Sequence, residues 1–192
     1  MQVSAAVQKM KILVVGPTRS GKTGIVNALA ELGGDGNNTN TNPTVGVRIL
    51  EVYRSLEERP ASDQNRTLIE LWDCSGDRKY ENCWPALQKD ADGIIFVFNP
   101  ENKTHEREIE TLVRAFTTPT QLRDSQCVIF AHHPQPFGMV EPPKPKVAKT
   151  FPKIGVLHTT FGSETIREEF QRLLQRCALV AFEKRDAEER QI

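Results

Sequence analysis

The sequence predicts an α/β domain of three layers, built on a six-stranded, mostly parallel sheet with one antiparallel edge strand. Strand-sized apolar runs alternate with helical patterns along the chain. Two strand-like runs follow one another with no helix between them, which implies an antiparallel pair at the sheet edge. A glycine-containing turn joins the first strand to the first helix.

Taken in order, Ile12-Leu13-Val14-Val15 is a buried strand, and Ile25 to Ala30 continues as a helix. Val47 to Tyr53 and Thr67 to Asp73 are the edge pair, joined by the charged connection Arg54 to Arg66, where Pro60 is a breaker. Gly93 to Phe98 is continuously apolar, as expected of a strand covered on both faces. Glu106 to Phe116 carries a helical stripe at Ile109, Leu112, Val113 and Phe116. Cys127 to Ala131 is the next buried strand, and Lys153 to Leu157 a weaker last one. Ser163 is placed to cap a final helix with its stripe at Ile166, Phe170, Leu173, Leu174, Cys177, Ala178 and Ala181. Gly33 to Pro43 is too polar and glycine-rich to pack and is expected to be mobile. Pro134 to Pro152 is proline-rich with almost no helical pattern.

At 192 residues the chain suits one domain, able to bury about 70% of its unfolded surface. We expect that domain to span 1–183, with a polar C-terminal tail at 184–192. Lys+Arg 25 balances Asp+Glu 25, so charge offers no case for a nucleic-acid partner. No apolar run approaches the roughly 18 residues of a membrane span. The N-terminus does not read as a signal peptide, and Glu189-Arg190-Gln191-Ile192 holds no cysteine to prenylate, so no direct lipid anchor is expected. The four cysteines, Cys74, Cys83, Cys127 and Cys177, lack CxxC spacing and are expected to be reduced.

The motifs carry the chemistry. Gly16-Pro17-Thr18-Arg19-Ser20-Gly21-Lys22-Thr23 matches G-x-x-x-x-G-K-[ST] between a strand and a helix. The glycines let backbone N–H groups face a phosphate, and the helix N-terminus adds partial positive charge. Gly16, Arg19, Ser20, Gly21, Lys22 and Thr23 are therefore candidate phosphate ligands, Lys22 for the β- and γ-phosphates and Thr23 also for Mg²⁺. Pro43-Thr44-Val45-Gly46 precedes the second strand, where Thr44 suits Mg²⁺ and γ-phosphate sensing. Leu71-Trp72-Asp73-Cys74-Ser75-Gly76 ends the third, with Asp73 near Mg²⁺ and Gly76 free to turn its N–H to the γ-phosphate.

In this order and spacing, the motifs resemble a small GTPase of the Ras superfamily, nearest the Rab and Arf branches, over residues 10–182. The runs Pro43 to Glu51, Leu71 to Cys74, Cys83-Trp84-Pro85-Ala86-Leu87 and Ala131-His132-His133 narrow the resemblance to the Rab-like small GTPases of intraflagellar transport. That resemblance implies the P-loop small-GTPase fold, GTP or GDP with Mg²⁺, and a structural or regulatory subunit of the IFT-B complex docked on its coiled-coil subunits. It also implies cytoplasm, the cilium or flagellum, and the ciliary base.

Two departures from the family pattern stand out. The residue after D-x-x-G is usually a Gln that orients the attacking water; here it is Asp77. A carboxylate there adds repulsion beside a γ-phosphate unless it swings into solvent, and either way the Gln is lacking, so intrinsic hydrolysis is expected to be slow or absent, no faster than the ~10⁻⁴ s⁻¹ order of unassisted Ras. The family's N-K-x-D after the fifth strand is replaced by His132-His133-Pro134-Gln135. His132 in place of Asn, His133 stacking in place of Lys, and Gln135 are the candidate base contacts, joined by Thr159 and Thr160 where the family carries S-A-K. Neighbouring positions at a strand end point opposite ways, which argues against one metal held by His132 and His133.

Tyr80, Trp84 and Leu87 follow Gly76 and are candidate partner contacts, since aromatic residues dominate interface hot spots; packing onto the sheet is an equal alternative for Trp84 and Leu87. Two alternatives stay open: a working GTPase switch that hydrolyses GTP with a partner's help, and a pseudo-GTPase scaffold that needs no nucleotide.

Overall fold

The structure, a computed structural model, describes residues 9–31, 42–56, 66–138 and 142–190. Its strands are β1 (Lys9–Val15), β2 (Val47–Ser55), β3 (Arg66–Cys74), β4 (Gly93–Phe98), β5 (Cys127–His133) and β6 (Gly155–Thr160). They form one sheet in the order β2-β3-β1-β4-β5-β6. All neighbours run parallel except β2, which pairs antiparallel with β3 at the edge, the arrangement expected for two successive strand-like runs. The helices are α1 (Lys22–Leu29), α2 (Trp84–Gln88), α3 (His105–Thr120), α4 (Val147–Thr150) and α5 (Glu164–Glu189).

The sheet divides the interior in two. On one face Ile12, Val14, Ile69 and Val128 pack against Ile25 and Leu29 of α1 and Phe170 and Leu173 of α5. On the other, Leu13, Phe96, Phe98 and Ile129 pack against Ile109, Val113 and Phe116 of α3. Strands β4 and β5 are buried along their whole length, which explains the apolar runs at 93–98 and 127–131. The carboxyl ends of β1, β3, β5 and β6 therefore share one rim, where open α/β sheets place their ligands.

The boundaries differ from expectation where side chains complete the backbone's hydrogen bonds. Helix α3 runs past Phe116 and takes in Pro119. Proline has no N–H to give the Ala115 carbonyl, and Gln88 Nε2 supplies that bond at 2.9 Å. The last strand begins at Gly155, two residues later than expected, because Ile154 N–H closes a turn on Phe151 O at 3.1 Å. The proline-rich segment contains the short helix α4, pinned by Thr150 Oγ1 to Glu110 Oε1 at 3.0 Å.

Ser163 Oγ accepts the Thr165 N–H at 3.2 Å, at the start of α5. That helix continues to Glu189, so the expected tail begins inside it. All four cysteines are free, and burial pushes the Cys74, Cys127 and Cys177 thiols up to about 12. Among the described residues no helix is long and apolar enough to cross a membrane. The expected mobile segment Gly33 to Pro43 lies, as far as residue 41, outside the described residues.

Candidate functional site

Strand β1 ends at Val15 and α1 starts at Lys22, so residues 16–21 turn directly onto the helix N-terminus. Gly21 stands at the N-cap with φ 96°, and no side chain caps the helix. Its first N–H groups stay available to an anion, reinforced by the helix dipole. Lys22 is buried and folds back, its Nζ donating to Pro17 O at 2.7 Å and Ser20 Oγ at 3.4 Å. Burial lowers its pKa to about 8, against the opposing pull of Asp73. Arg19 is exposed at φ 62°.

Beside the loop, three oxygen donors from distant segments converge. Thr23 Oγ1 donates to Asp73 Oδ2 at 2.9 Å and lies 3.0 Å from Thr44 Oγ1, which itself donates to Asp73 Oδ2 at 3.2 Å. Asp73 is fully buried, and its Oδ1 has no hydrogen-bond partner. A buried carboxylate oxygen left open next to two hydroxyls suits a hard divalent cation. Thr23 and Thr44 line a cavity of about 390 Å³ with Asn42, Val45 and Arg48. Arg48 Nη2 reaches to 3.5 Å from Asp73 Oδ2.

The loop after β3 lies on the phosphate loop. A β-carbon on Gly76 would collide with the backbone of Gly16, Pro17 and Thr18, so only glycine permits this approach. Asp77 caps a 3-10 turn (Arg78–Cys83) by accepting the Lys79 N–H at 3.0 Å, and its Oδ2 pairs with Lys79 Nζ at 2.9 Å. The Lys79 bonds hold its pKa below the ordinary carboxylate value. Its charge is therefore partnered and partly solvated, which removes much of the repulsion expected beside a γ-phosphate; the water-orienting amide is still missing.

Trp84 is half-buried, 5.1 Å from the Phe116 ring, and lines a cavity of about 130 Å³ with Gly76, Arg78 and Leu112. For Leu87 the structure selects packing over partner contact. The side chain is buried in the core under α3 and offers no surface to a partner. Tyr80, half-buried with Lys79 Nζ 5.0 Å from its ring, keeps part of its ring accessible.

The base end is also redrawn. His132 is 2% exposed, its Nδ1 3.1 Å from Thr159 Oγ1 and its ring 4.2 Å from Phe161. Burial, then the neighbouring His133, lowers its pKa to about 4, so it is neutral at physiological pH. It is a strut behind the phosphate loop rather than an edge held out to a base. His133 goes the other way, with Nε2 3.0 Å from His158 Nδ1 and Nδ1 3.4 Å from Glu101 Oε1. Both ring nitrogens are thus engaged and the ring packs on Phe137, which does not match the expected free stacking surface. Thr159 is fully buried, while Gln135 is exposed and Thr160 half-buried.

Arg48, Phe161 and Glu101 escape the sequence reading, and His158 enters it only as the first residue of the run that stands in place of S-A-K. A signal existed for Arg48: pairing Val47 with Cys74 sets Arg48 opposite Asp73. Phe161 had none, because its place follows from the register of β6.

The family model described as Ras of Complex, Roc, domain of DAPkinase matches residues 11–134. The chain is 37% identical over 190 residues to an intraflagellar transport protein 22 homolog of Danio rerio, covering 96% of this chain and 98% of the relative. It is similar to the chain in a GTP-bound T. brucei IFT22/74/81 crystal structure, with TM-score 0.71 and 32% identity over 92% of this chain and 98% of that one. A GDP-bound T. brucei IFT22 crystal structure matches with TM-score 0.64 and 32% identity, covering 89% of this chain and 97% of that chain.

Proposed function

Because this chain belongs to the intraflagellar transport protein 22 family of small GTPases, we propose that it binds guanine nucleotide and serves as a structural or regulatory subunit of the IFT-B complex. The convergence of Thr23, Thr44 and Asp73 beside the uncapped N-terminus of α1 and Lys22 carries this reading. Backbone groups of residues 16–21 and the Lys22 ammonium hold the phosphates, and Gly76, packed on the loop, senses the terminal one. Thr23, Thr44 and Asp73 would hold Mg²⁺, which when bound neutralises phosphate charge. Gln135 and Thr160 are the remaining groups for the base rim, with His132 and Thr159 supporting it from behind.

Asp77 is tied to Lys79, so the chain itself positions no attacking water, and hydrolysis is very slow without help. The relative crystallised as an IFT22/74/81 assembly supports equivalent partners here, which we take to be a coiled-coil pair. Tyr80 and the accessible edge of Trp84 form the contact beside Gly76. Residues 1–183 act as one nucleotide-binding unit, recruited to the ciliary base and into the cilium or flagellum by protein contacts. The test is to release and identify the nucleotide that copurifies with the protein, and to ask whether the loaded form co-elutes with its 74 and 81 counterparts. Guanine nucleotide and co-elution are expected; a nucleotide-free protein that co-elutes equally well would favour a pure scaffold.

A further inference from the structure

We propose that Arg48 is a built-in counter-cation for Asp73, which shares this carboxylate with the divalent ion and keeps Thr44 docked when the ion leaves. The proposal rests on Thr23, Thr44 and Asp73 being the cation site. Register comes first: Arg48 is the cross-strand partner of Asp73, and directly opposed residues point to the same face. The guanidinium then spans two elements. Its Nη2 donates to Asn27 Oδ1 of α1 at 2.6 Å and lies 3.5 Å from Asp73 Oδ2. Its Nε is buried with no partner, so it retains unused donor capacity inside the site.

Asp73 needs such a cation. It is 0% exposed, and a carboxylate out of water without opposite charge is strongly unfavourable. Lys22 acts on Asp73 only through its field, because its Nζ is bonded to Pro17 O and Ser20 Oγ in the phosphate loop and forms no ion pair with the carboxylate. Among the described residues, Arg48 alone stands within ion-pair distance of Asp73. It also lines the cavity with Thr23, Asn42, Thr44 and Val45, where the ion's charge would be felt. The guanidinium and a divalent ion thus draw on one carboxylate, and the Asn27 bond keeps the arginine nearby when the ion takes its share. Loss of the ion leaves a neutralised Asp73 still holding the Thr23 and Thr44 hydroxyls.

Two measurements on the full chain decide it. Release of a fluorescent GDP analogue is timed in Mg²⁺ and in chelator for wild type, Arg48→Gln and Arg48→Lys. The chelator-to-Mg²⁺ rate ratio is expected to rise roughly threefold or more in Arg48→Gln, with Arg48→Lys between. An unchanged ratio would overturn the proposal. Thermal denaturation without nucleotide or metal is then followed for Arg48→Gln, Asp73→Asn and the double variant. Non-additive shifts are expected, and additive ones would contradict the pairing. If wild type holds no nucleotide in either buffer, the cation-site reading and the shared-ion proposal fail together. Non-additive melting would then preserve only the Arg48–Asp73 pair.

Discussion

The His132 ring fills the space beside Gly21: a β-carbon on that glycine would lie 2.5 Å from His132 Cδ2. The phosphate loop and the end of β5, where the usual base motif is replaced, thus lie directly against each other. Gly21 also has φ 96°, which side-chain-bearing residues adopt only with strain. Gly21→Ala is therefore expected to abolish nucleotide binding and lower the melting temperature. Adding His132→Ala removes the collision but not the strained φ, so it should restore part of the stability and little of the binding. Full recovery in the double variant would mean that the backbone conformation does not matter.

His132 also makes stability depend on pH. Its folded-state pKa, about 4, is below the ordinary value of 6.5. Between these values the unfolded chain binds a proton that the folded chain refuses. Stability is present above about pH 6.5 and lost as pH falls toward 4, by up to about 3 kcal/mol from this group. Melting curves from pH 7.5 to 4.5 should show the decline in wild type and a shallower one in His132→Asn. Parallel curves would contradict the assignment.

Lys22 links nucleotide binding to protons. Buried without an anion, it has a pKa of about 8. A phosphate beside it favours the ammonium, so binding near pH 8 should take up about half a proton. Calorimetry in buffers of different ionisation enthalpy reads this directly. Uptake should vanish by pH 6.5, where Lys22 is already charged, and no buffer dependence at pH 8 would count against this role.

Asp77 offers a test of the missing water-orienting group. Its carboxylate is held by Lys79, so Asp77→Ala should leave single-turnover GTP hydrolysis unchanged, while Asp77→Gln should raise it. Wild-type hydrolysis faster than the ~10⁻⁴ s⁻¹ order of unassisted Ras would refute the account of Asp77.

The phosphate end of the site is legible in the sequence because backbone geometry dictates it. Gly16, Gly21 and Gly76 stand where a β-carbon would collide, and Lys22, Thr23 and Asp73 follow at set distances from strand ends. The edge pair β2–β3 is legible for a similar reason, since two successive strand-like runs with no helical pattern between them in the sequence have few topologies. The base end is not, because it depends on the register of β5 against β6, which sets His132 beside Thr159 and leaves His133 to bond His158. Leu87 is left open by the sequence for a different reason: an apolar residue on a short helix beside the site has the same signature whether it faces a partner or the core. Phe161 emerges only once tertiary pairing is known, whereas Arg48 follows as soon as the antiparallel edge pair is put in register.

Calorimetric titration of the nucleotide-stripped protein with GTP, GDP and ATP in Mg²⁺, with Lys22→Ala alongside, tests guanine nucleotide binding most directly. Tight binding of GTP and GDP, far weaker binding of ATP, and loss of all three in Lys22→Ala is the expected result. Equal affinity for ATP would mean that the rim around Gln135 and Thr160 does not select guanine. Absence of heat with every nucleotide would contradict a nucleotide-binding role altogether.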